Sequence, residues 1–162
     1  MKTTMYFLKV LMIALFVSCG SDDDGNNSGS NDSFFAKVNG QDYNPTFVTA
    51  FNTSITSTVL ITGSMGNGEE LQLFVPVDIT TGTYNWSDIN ETFFVQGIYT
   101  PAGANNADDS GFAKTGSLTI TSVNQENKTM QGTFSFVSDP TVNGGIVYNV
   151  TEGSFSVTYS DL

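Results

Sequence analysis

The fold class is decided by the stretch Leu71-Gln72-Leu73-Phe74-Val75-Pro76-Val77-Asp78-Ile79. Every second residue in it is apolar, which is the period of a β-strand with one buried face. The residues on that face are Leu71, Leu73, Val75, Val77 and Ile79. Because proline cannot donate to a strand ladder, Pro76 predicts that this strand lies at a sheet edge or carries a bulge.

Similar short apolar runs, separated by turn residues, surround this strand. Val59-Leu60-Ile61 precedes it, and Gly66-Asn67-Gly68 supplies the turn between the two runs. Asn39-Gly40 stands between Ala36-Lys37-Val38 and Gln41-Asp42-Tyr43 and is a strong signal for a two-residue hairpin turn. Residues 93–99 form one more run, which ends before a proline.

The C-terminal third predicts one further hairpin, with its turn at residues 124–128 and the inward-facing residues Leu118, Ile120, Met130, Phe134 and Phe136. Nearer the C-terminus, Ile146, Tyr148 and Val150 lead into Phe155, Val157 and Tyr159. The alternation changes phase at Gly153, where we expect a bulge or a turn.

Residues 34–162 are therefore predicted to form one all-β domain. No window keeps the apolar spacing of a helix, and Thr, Ser, Asn and Gly are too frequent for long helices. We count roughly nine strands over about 130 residues, which predicts either a single antiparallel β-sandwich or a flattened β-barrel. The 13 Phe of the chain supply a core without disulfides.

Composition argues against several classes of function. The 162 residues include five Lys, no Arg, 16 Asp plus Glu and no His, which gives a net charge of −11. Without His there is no Ser-His-Asp or Cys-His apparatus and no imidazole ligand for a metal. One Cys makes neither an intrachain disulfide nor a Cys-rich metal site. So few cations argue against nucleic-acid binding, which depends on cationic contacts with phosphates. No cofactor is expected.

Residues 1–18 are predicted to be a signal peptide. Lys2 and Lys9 give a cationic start, and residues 10–17 form an unbroken apolar run. Eight helical residues span about 12 Å, far less than the ~30 Å hydrocarbon core of a membrane. The run therefore fits the apolar region of a secretory signal and not a membrane-spanning helix.

Phe16-Val17-Ser18-Cys19 resembles the lipobox of bacterial lipoproteins, with Phe16 where that motif usually has Leu. The resemblance implies cleavage after Ser18 and lipidation of Cys19 by a diacylglycerol thioether and an N-terminal acyl chain such as palmitate. Each buried CH₂ contributes about 0.8 kcal/mol, and more than one chain is needed for stable attachment. The alternative, an ordinary free thiol, is disfavoured because the only Cys of the chain stands at this position.

Residues 19–33 are predicted to be the acylated Cys and a flexible acidic tether. Residues 20–33 contain four Asp and no apolar side chain, so they cannot bury surface. Such a tether reaches about 20 Å in r.m.s. terms. Ser21-Asp22-Asp23-Asp24 is similar to the acidic signal that sends Bacteroidetes lipoproteins to the outer face of the outer membrane. We expect a lipid-anchored outer-membrane protein at the cell surface, with the periplasmic face as the alternative.

The charge of the mature chain limits its partners. After removal of residues 1–18 it keeps three Lys against 16 acids, and 3 − 16 = −13. This charge repels anionic polymers. It favours a neutral or cationic ligand or protein partner, in addition to the membrane that holds the lipid anchor.

Acidic side chains offer two hypotheses for chemistry. Asp108 and Asp109 lie in a polar loop, but the twelfth position of an EF-hand is Ser117, where Glu is required. A surface loop is the better interpretation, and a looser Ca²⁺ site the alternative. Glu69, Glu70, Glu91 and Glu152 lie at strand ends, and nothing in the sequence predicts the shared cleft that glycoside hydrolysis requires.

Tyr84 and Trp86 are the candidate ligand contacts. With Phe93-Phe94 they offer an aromatic platform for a sugar ring. Packing in the core or at its edge is the favoured interpretation, because aromatic side chains of small β domains usually pack inside.

The body is similar to the short, uncharacterised all-β lipoproteins of Bacteroidetes. The similarity rests on turn-and-strand segments at residues 35–40, 116–121, 132–136 and 153–157, and it implies no active site. The leading hypothesis is a non-enzymatic, lipid-anchored binding or interaction module at the cell surface. The alternatives are a calycin-like carrier of a small ligand and a carboxylate-dependent, glycan-active enzyme.

Overall fold

The computed structural model describes residues 32–53, 57–86, 95–105, 107–142 and 144–162. These ranges contain β-strands, one 3₁₀ turn at Ala107–Asp109 and no α-helix, which confirms the predicted all-β class. The strands are β1 (Ser33–Val38), β2 (Gln41–Tyr43), β3 (Phe47–Thr53), β4 (Thr58–Ser64), β5 (Glu70–Pro76), β6 (Gly82–Asn85), β7 (Gln96–Thr100), β8 (Gly111–Asn124), β9 (Thr129–Ser138), β10 (Asn149–Thr158) and β11 (Ser160–Asp161).

The eleven strands of the described ranges belong to one curled sheet that forms a half-barrel. Their order is β11-β3-β4-β5-β7-β8-β9-β10-β1-β2, and β6 pairs with β8 beside this path. Neighbours are antiparallel, except that β11 adds to β3 in parallel. Neither the sandwich nor the count of nine strands is confirmed, because the sheet is continuous and the short strands β2, β6 and β11 raise the number.

Strand β8 joins the two halves of the sheet. Its first residues pair with β7, its residues 117–120 pair with β6, and β9 pairs along its other edge. Between the two pairings the register with β9 shifts at Ala113/Thr115, and Gly116 has a φ of +107°. A Cβ on Gly116 would lie 2.3 Å from the carbonyl oxygen of Ser135. Only glycine fits this bend, because other residues rarely adopt this positive φ and because there is no space for a Cβ atom.

The inner face of the half-barrel is filled with large apolar side chains. Leu71, Leu73 and Val75 have no exposed area, as their alternation predicts. Ile61 and Met130 are buried to the same extent on neighbouring parts of the sheet. Burial of this apolar surface is the main favourable contribution to folding.

Aromatic rings of the core occupy space that glycines leave open. A Cβ on Gly97 would lie 2.9 Å from the ring of Phe136, and one on Gly153 would lie 2.5 Å from the ring of Phe134. Both glycines are in or beside strand ladders, where glycine is otherwise unfavourable. They are required here because a ring lies against the backbone.

Three predicted hairpins are confirmed. Asn39-Gly40 joins β1 to β2 with φ values of +50° and +80°, the signs of a type I′ turn. Residues 66–68 lie in the β4–β5 turn, and residues 125–128 close the β8–β9 hairpin. The local turn chemistry therefore determines three strand pairings directly.

The prediction for Pro76 is wrong. Strand β5 lies inside the sheet, between β4 and β7, and Pro76 is its last residue. The proline is tolerated because the ladder ends there, and the next donor, the N–H of Val77, bonds to the carbonyl of Ser57 at 2.9 Å. Proline thus marks the end of this strand and not an edge of the sheet.

The predicted irregularity at Gly153 is confirmed as a bulge in β10. The register with β9 shifts between Val150 and Gly153, and Glu152 has a φ of +53°. The expectation for Ile146 is wrong: this residue precedes β10 and is 51% exposed. Its place in the alternating pattern is incidental, because residues 146–148 are not in a strand.

The half-barrel has two ends. We call one end the entry end, because the first strand of the described chain begins there, at Ser33. The same end holds the 125–128 turn. The loop end, opposite, holds the 39–40 turn, the 65–69 turn, the described part of the 101–110 connection and the 139–148 loop without Asn143. Strand β9 runs ten residues from one end to the other, a distance of about 30 Å.

A tyrosine cluster closes the loop end. The Tyr43 hydroxyl donates to the carbonyl of Gly63 at 2.6 Å, and the Tyr99 hydroxyl donates to Oε1 of Glu69 at 2.8 Å. The rings of Tyr99 and Tyr148 meet edge-on, with centroids 4.8 Å apart. Burial raises the pKa of Tyr43 and of Tyr99 far above the ordinary value, so both remain donors.

Candidate functional site

The largest described groove lies where the sheet divides. Strand β6 ends at Asn85 and β7 begins at Gln96, both along the same edge of β8, and the bend of β8 separates them. The gap is a groove of about 440 Å³. Its lining residues are Trp86, Gln96, Phe112, Ala113, Lys114, Asp139 and Val142. We call this the Trp86 groove.

Trp86 is held rigidly in the wall of the groove. Its indole N–H donates to the carbonyl of Ser135 at 2.7 Å, and its ring meets that of Phe136 edge-on at 6.0 Å. Its backbone N–H donates to the carbonyl of Gly116 at 3.4 Å, which links its position to the bend in β8. The side chain is 1% exposed, so Trp86 is a core residue that borders a groove.

The polar groups of the groove are few and placed at defined points. The buried Gln96 amide donates to the carbonyl of Gly97 at 3.0 Å and to that of Ala113 at 3.4 Å. At the rim, the Lys114 ammonium lies 2.9 Å from the Asp139 carboxylate. An apolar groove with a few fixed polar groups is the usual form of a small-ligand site, and such sites begin at about 300 Å³.

The Asp139 carboxylate is stabilised in its charged form. The Thr141 N–H donates to it at 2.9 Å, the Lys114 ammonium pairs with it, and the Thr141 hydroxyl donates at 2.7 Å. Together these contacts lower the pKa of Asp139 to about 2. The Asp139 carboxylate at the rim therefore carries its charge at physiological pH.

The structure treats the two predicted ligand contacts differently. Trp86 packs in the core, as favoured, and also lines the groove. Tyr84 is half-buried on β6, and its hydroxyl donates to the carbonyl of Thr80 at 2.8 Å; it is not among the lining residues of this groove. Phe93-Phe94 lie outside the described residues, so the aromatic platform stays a hypothesis.

Six of the predicted site residues lie outside the described residues. They are Cys19, Ser21, Asp22, Asp23, Asp24 and Glu91.

The described acids do not converge. Glu152 pairs with Lys37 at 2.8 Å on β10, and Glu69 accepts from Tyr99 at the β4–β5 turn. Asp109 accepts the N–H of Asn105 at 2.8 Å, as a loop residue does. Among the described residues no group of three His, Cys, Asp or Glu could hold a metal ion.

The three polar residues of the Trp86 groove were not predicted from the sequence. Gln96, Lys114 and Asp139 are distant in sequence, and the pairing of β8 with β7 and with β9 brings them together. One signal was available: Asp139-Pro140-Thr141 has the composition of a turn in which the aspartate accepts the N–H two residues later. The pairing with Lys114 had no local signal, because it depends on the β8–β9 register.

Two of the smaller grooves include acidic residues. One, of about 290 Å³, lies on the hydroxyl-rich outer face of β8–β10 and includes Glu152. The other, of about 230 Å³, lies at the entry end and includes Asp78 and Asp161. Asp161 accepts from Lys128 and from the Asn52 amide, and these contacts lower its pKa. A general acid needs a raised pKa, so the lowered pKa of Asp161 argues against that role.

Fold and groove define an all-β half-barrel with a surface site where its sheet divides. The chain belongs to the family that carries the domain of unknown function DUF6252, whose model matches residues 30–157. No curated protein and no solved structure matches the chain. Within the described ranges, no helix is long and apolar enough to cross a membrane.

The pKa of Asp139 provides a test of the rim geometry. We expect its carboxyl ¹³C resonance to titrate with a midpoint of about 2, and Lys114→Met to raise that midpoint while the Thr141 N–H bond remains. Because the pKa is lowered from 3.8, the interaction stabilises the fold above pH 3.8 and this contribution is lost as the pH falls toward 2. A wild-type midpoint near 3.8, or no change in K114M, would show that the ion pair is absent.

Proposed function

We propose that the protein is a lipid-anchored, non-catalytic binding protein of the outer membrane, displayed at the cell surface, and that the Trp86 groove is its binding site. The observation that most directly supports a binding function is the groove, which is a mainly apolar recess with an ion pair at its rim. The anchor rests on the lipobox-like segment that ends at Cys19 and on the acidic tether behind it.

The geometry of the domain suits display away from a membrane. The tether enters at Ser33, at the entry end, whereas Lys114, Asp139 and Val142 lie toward the loop end. The length of β9 separates the two ends by about 30 Å. A protein held by Cys19 would therefore present the groove outward.

The groove favours a ligand with a neutral, mainly apolar group. Phe112 and Val142 offer accessible apolar surface, whereas Trp86 and Ala113 are buried in the wall, and the Lys114–Asp139 pair leaves the rim without net charge. The large negative charge of the mature chain opposes anionic ligands. Van der Waals contact and burial of apolar surface would supply the affinity.

The two other functions receive less support from the geometry. A calycin-like carrier holds its ligand inside the barrel, and the described interior here is filled by buried side chains such as Leu71, Ile61 and Met130. A glycan-active enzyme needs a pair of carboxylates with one raised pKa, and Asp161 has a lowered one. A surface binding site agrees better with both observations.

The anchor makes a prediction about labelling in cells. We expect an alkyne analogue of palmitate to label the wild-type protein and not Cys19→Ala, because acylation requires the sulfur and the cleavage at Cys19. Replacing Asp22, Asp23 and Asp24 by Ala should keep the label and reduce digestion by protease added to intact cells. Equal labelling of C19A, or no labelling of the wild-type protein, would contradict the anchor.

The groove makes a prediction about a neutral, apolar probe. We expect the dye prodan to bind and to accept excitation energy from Trp86, the only Trp of the chain. Val142→Lys should weaken binding at least about tenfold, because a charge at the rim must be desolvated, and tenfold corresponds to about 1.4 kcal/mol.

Val147→Lys is the matched control. Val142 and Val147 lie in the same loop with 43% and 47% exposure, but only Val142 lines the groove. Prodan affinity should be unchanged in V147K. Equal losses in the two variants, or no energy transfer from Trp86, would refute the groove as the binding site.

A further inference from the structure

Exposed apolar side chains are concentrated at the loop end. Six large hydrophobic side chains of the described residues are exposed, and five of them lie at or near this end. They are Phe47, Val137, Val142, Ile146 and Val147, whereas Leu162 is the sixth and follows β11 at the entry end. Apolar side chains grouped at one end of a monomer mark an interaction surface more often than chance exposure does.

The 139–148 loop presents three of these side chains on a fixed base. The N–H of Ser138 donates to the carbonyl of Tyr148 at 2.9 Å, and the buried Ser138 hydroxyl accepts the N–H of Tyr148 at 2.9 Å. The backbone N–H of Asp139 donates to the carbonyl of Phe112 at 2.8 Å. Little ordering of the loop base is needed on binding, which lowers the entropic cost of association.

The same end carries a strong negative charge. Its two lysines, Lys37 and Lys114, pair with Glu152 and Asp139. Five further carboxylates belong to this end, so seven acids stand against two lysines, and 2 − 7 = −5. The five are Asp42, Glu69, Glu70, Asp108 and Asp109.

We infer that the loop end is a docking surface for another protein, one whose contact face is apolar at its centre and basic at its rim. The exposed side chains of Ile146 and Val147 would form the apolar centre on this chain; they share the 139–148 loop with Val142, which lines the Trp86 groove. The carboxylates steer and orient the basic rim of the partner. A second copy of this chain fits poorly, because it would bring two acidic ends together. The inference rests on the proposed binding function and names its partner.

The test uses a defined peptide with the chemistry of such a partner. It has nine residues: leucine, phenylalanine and leucine in the centre and three lysines on each side, with a neutral rhodamine label. The protein is the acylated mature chain in nanodiscs of zwitterionic lipid, and empty nanodiscs serve as the blank. We expect saturable binding by anisotropy that weakens as NaCl is raised from 50 to 500 mM.

Matched variants at the two ends locate the binding. Ile146→Ser and Val147→Ser should each weaken binding at least about fivefold, and Leu162→Ser should not change it. Asp42→Asn with Glu70→Gln should weaken binding and reduce its salt dependence. Asp78→Asn with Glu126→Gln, which removes the same charge at the entry end, should weaken it less. A midpoint of thermal unfolding equal to that of the wild type verifies that each variant is folded.

The outcomes separate this inference from the proposed groove. Equal effects at the two ends, or equal binding of a peptide with glutamates in place of lysines, would overturn the docking surface. So would a wild-type dimer in analytical ultracentrifugation that Ile146→Ser dissociates, since the face would then belong to a second copy. If I146S keeps prodan binding and loses the peptide, both proposals stand. If prodan never binds and the peptide requires Ile146, only the groove fails.

Discussion

The bend in β8 at Gly116 is the constraint on which the rest of the structure depends. One strand of 14 residues pairs with β7 at its start and with β6 further on, and β9 follows it along the other edge. The change of direction requires a φ of +107° and room for the Ser135 carbonyl oxygen, which only glycine provides. The bend turns β8 from its pairing with β7 to its pairing with β6 and so connects the two halves of the curled sheet.

The groove follows from the same bend. Because β8 turns away from β7 before it meets β6, the ends of these two strands stand apart, and Trp86 and Gln96 face the gap. Trp86 bonds to the carbonyls of Gly116 and Ser135. The position of Trp86 in the wall of the groove is thus fixed by the residues that make the bend.

Local features of the sequence predicted much of the fold. The alternation at Leu71, Leu73 and Val75 predicted a buried strand face and Asn39-Gly40 predicted a hairpin, because both signals act between near neighbours. The predicted strand was too long, since β5 ends at Pro76 and Val77 and Ile79 follow it. Pro76 was misread, since a proline at a strand end and one at a sheet edge satisfy the same missing donor. The continuous half-barrel could not be predicted from local patterns, because it depends on pairings such as that of β11 with β3, between residues more than 100 positions apart.

The site was less predictable than the fold. Trp86 was selected as an aromatic residue, but its partners Lys114 and Asp139 meet through the β8–β9 register, which no motif encodes. The loop end is a similar case: its acids and apolar side chains come from turns that are distant in sequence. The fold brings them together at the end of the half-barrel opposite Ser33.

The most direct measurement of the central constraint is a comparison of Gly116→Ala with Gly103→Ala by urea unfolding and Trp86 emission. Both glycines have positive φ, +107° and +76°, but a Cβ on Gly103 meets nothing within 4 Å. The account predicts that G116A loses about 2 kcal/mol more than G103A, and that its Trp86 emission moves to longer wavelength as the indole loses its buried position. Equal stability of the two variants, with wild-type emission in both, would contradict it.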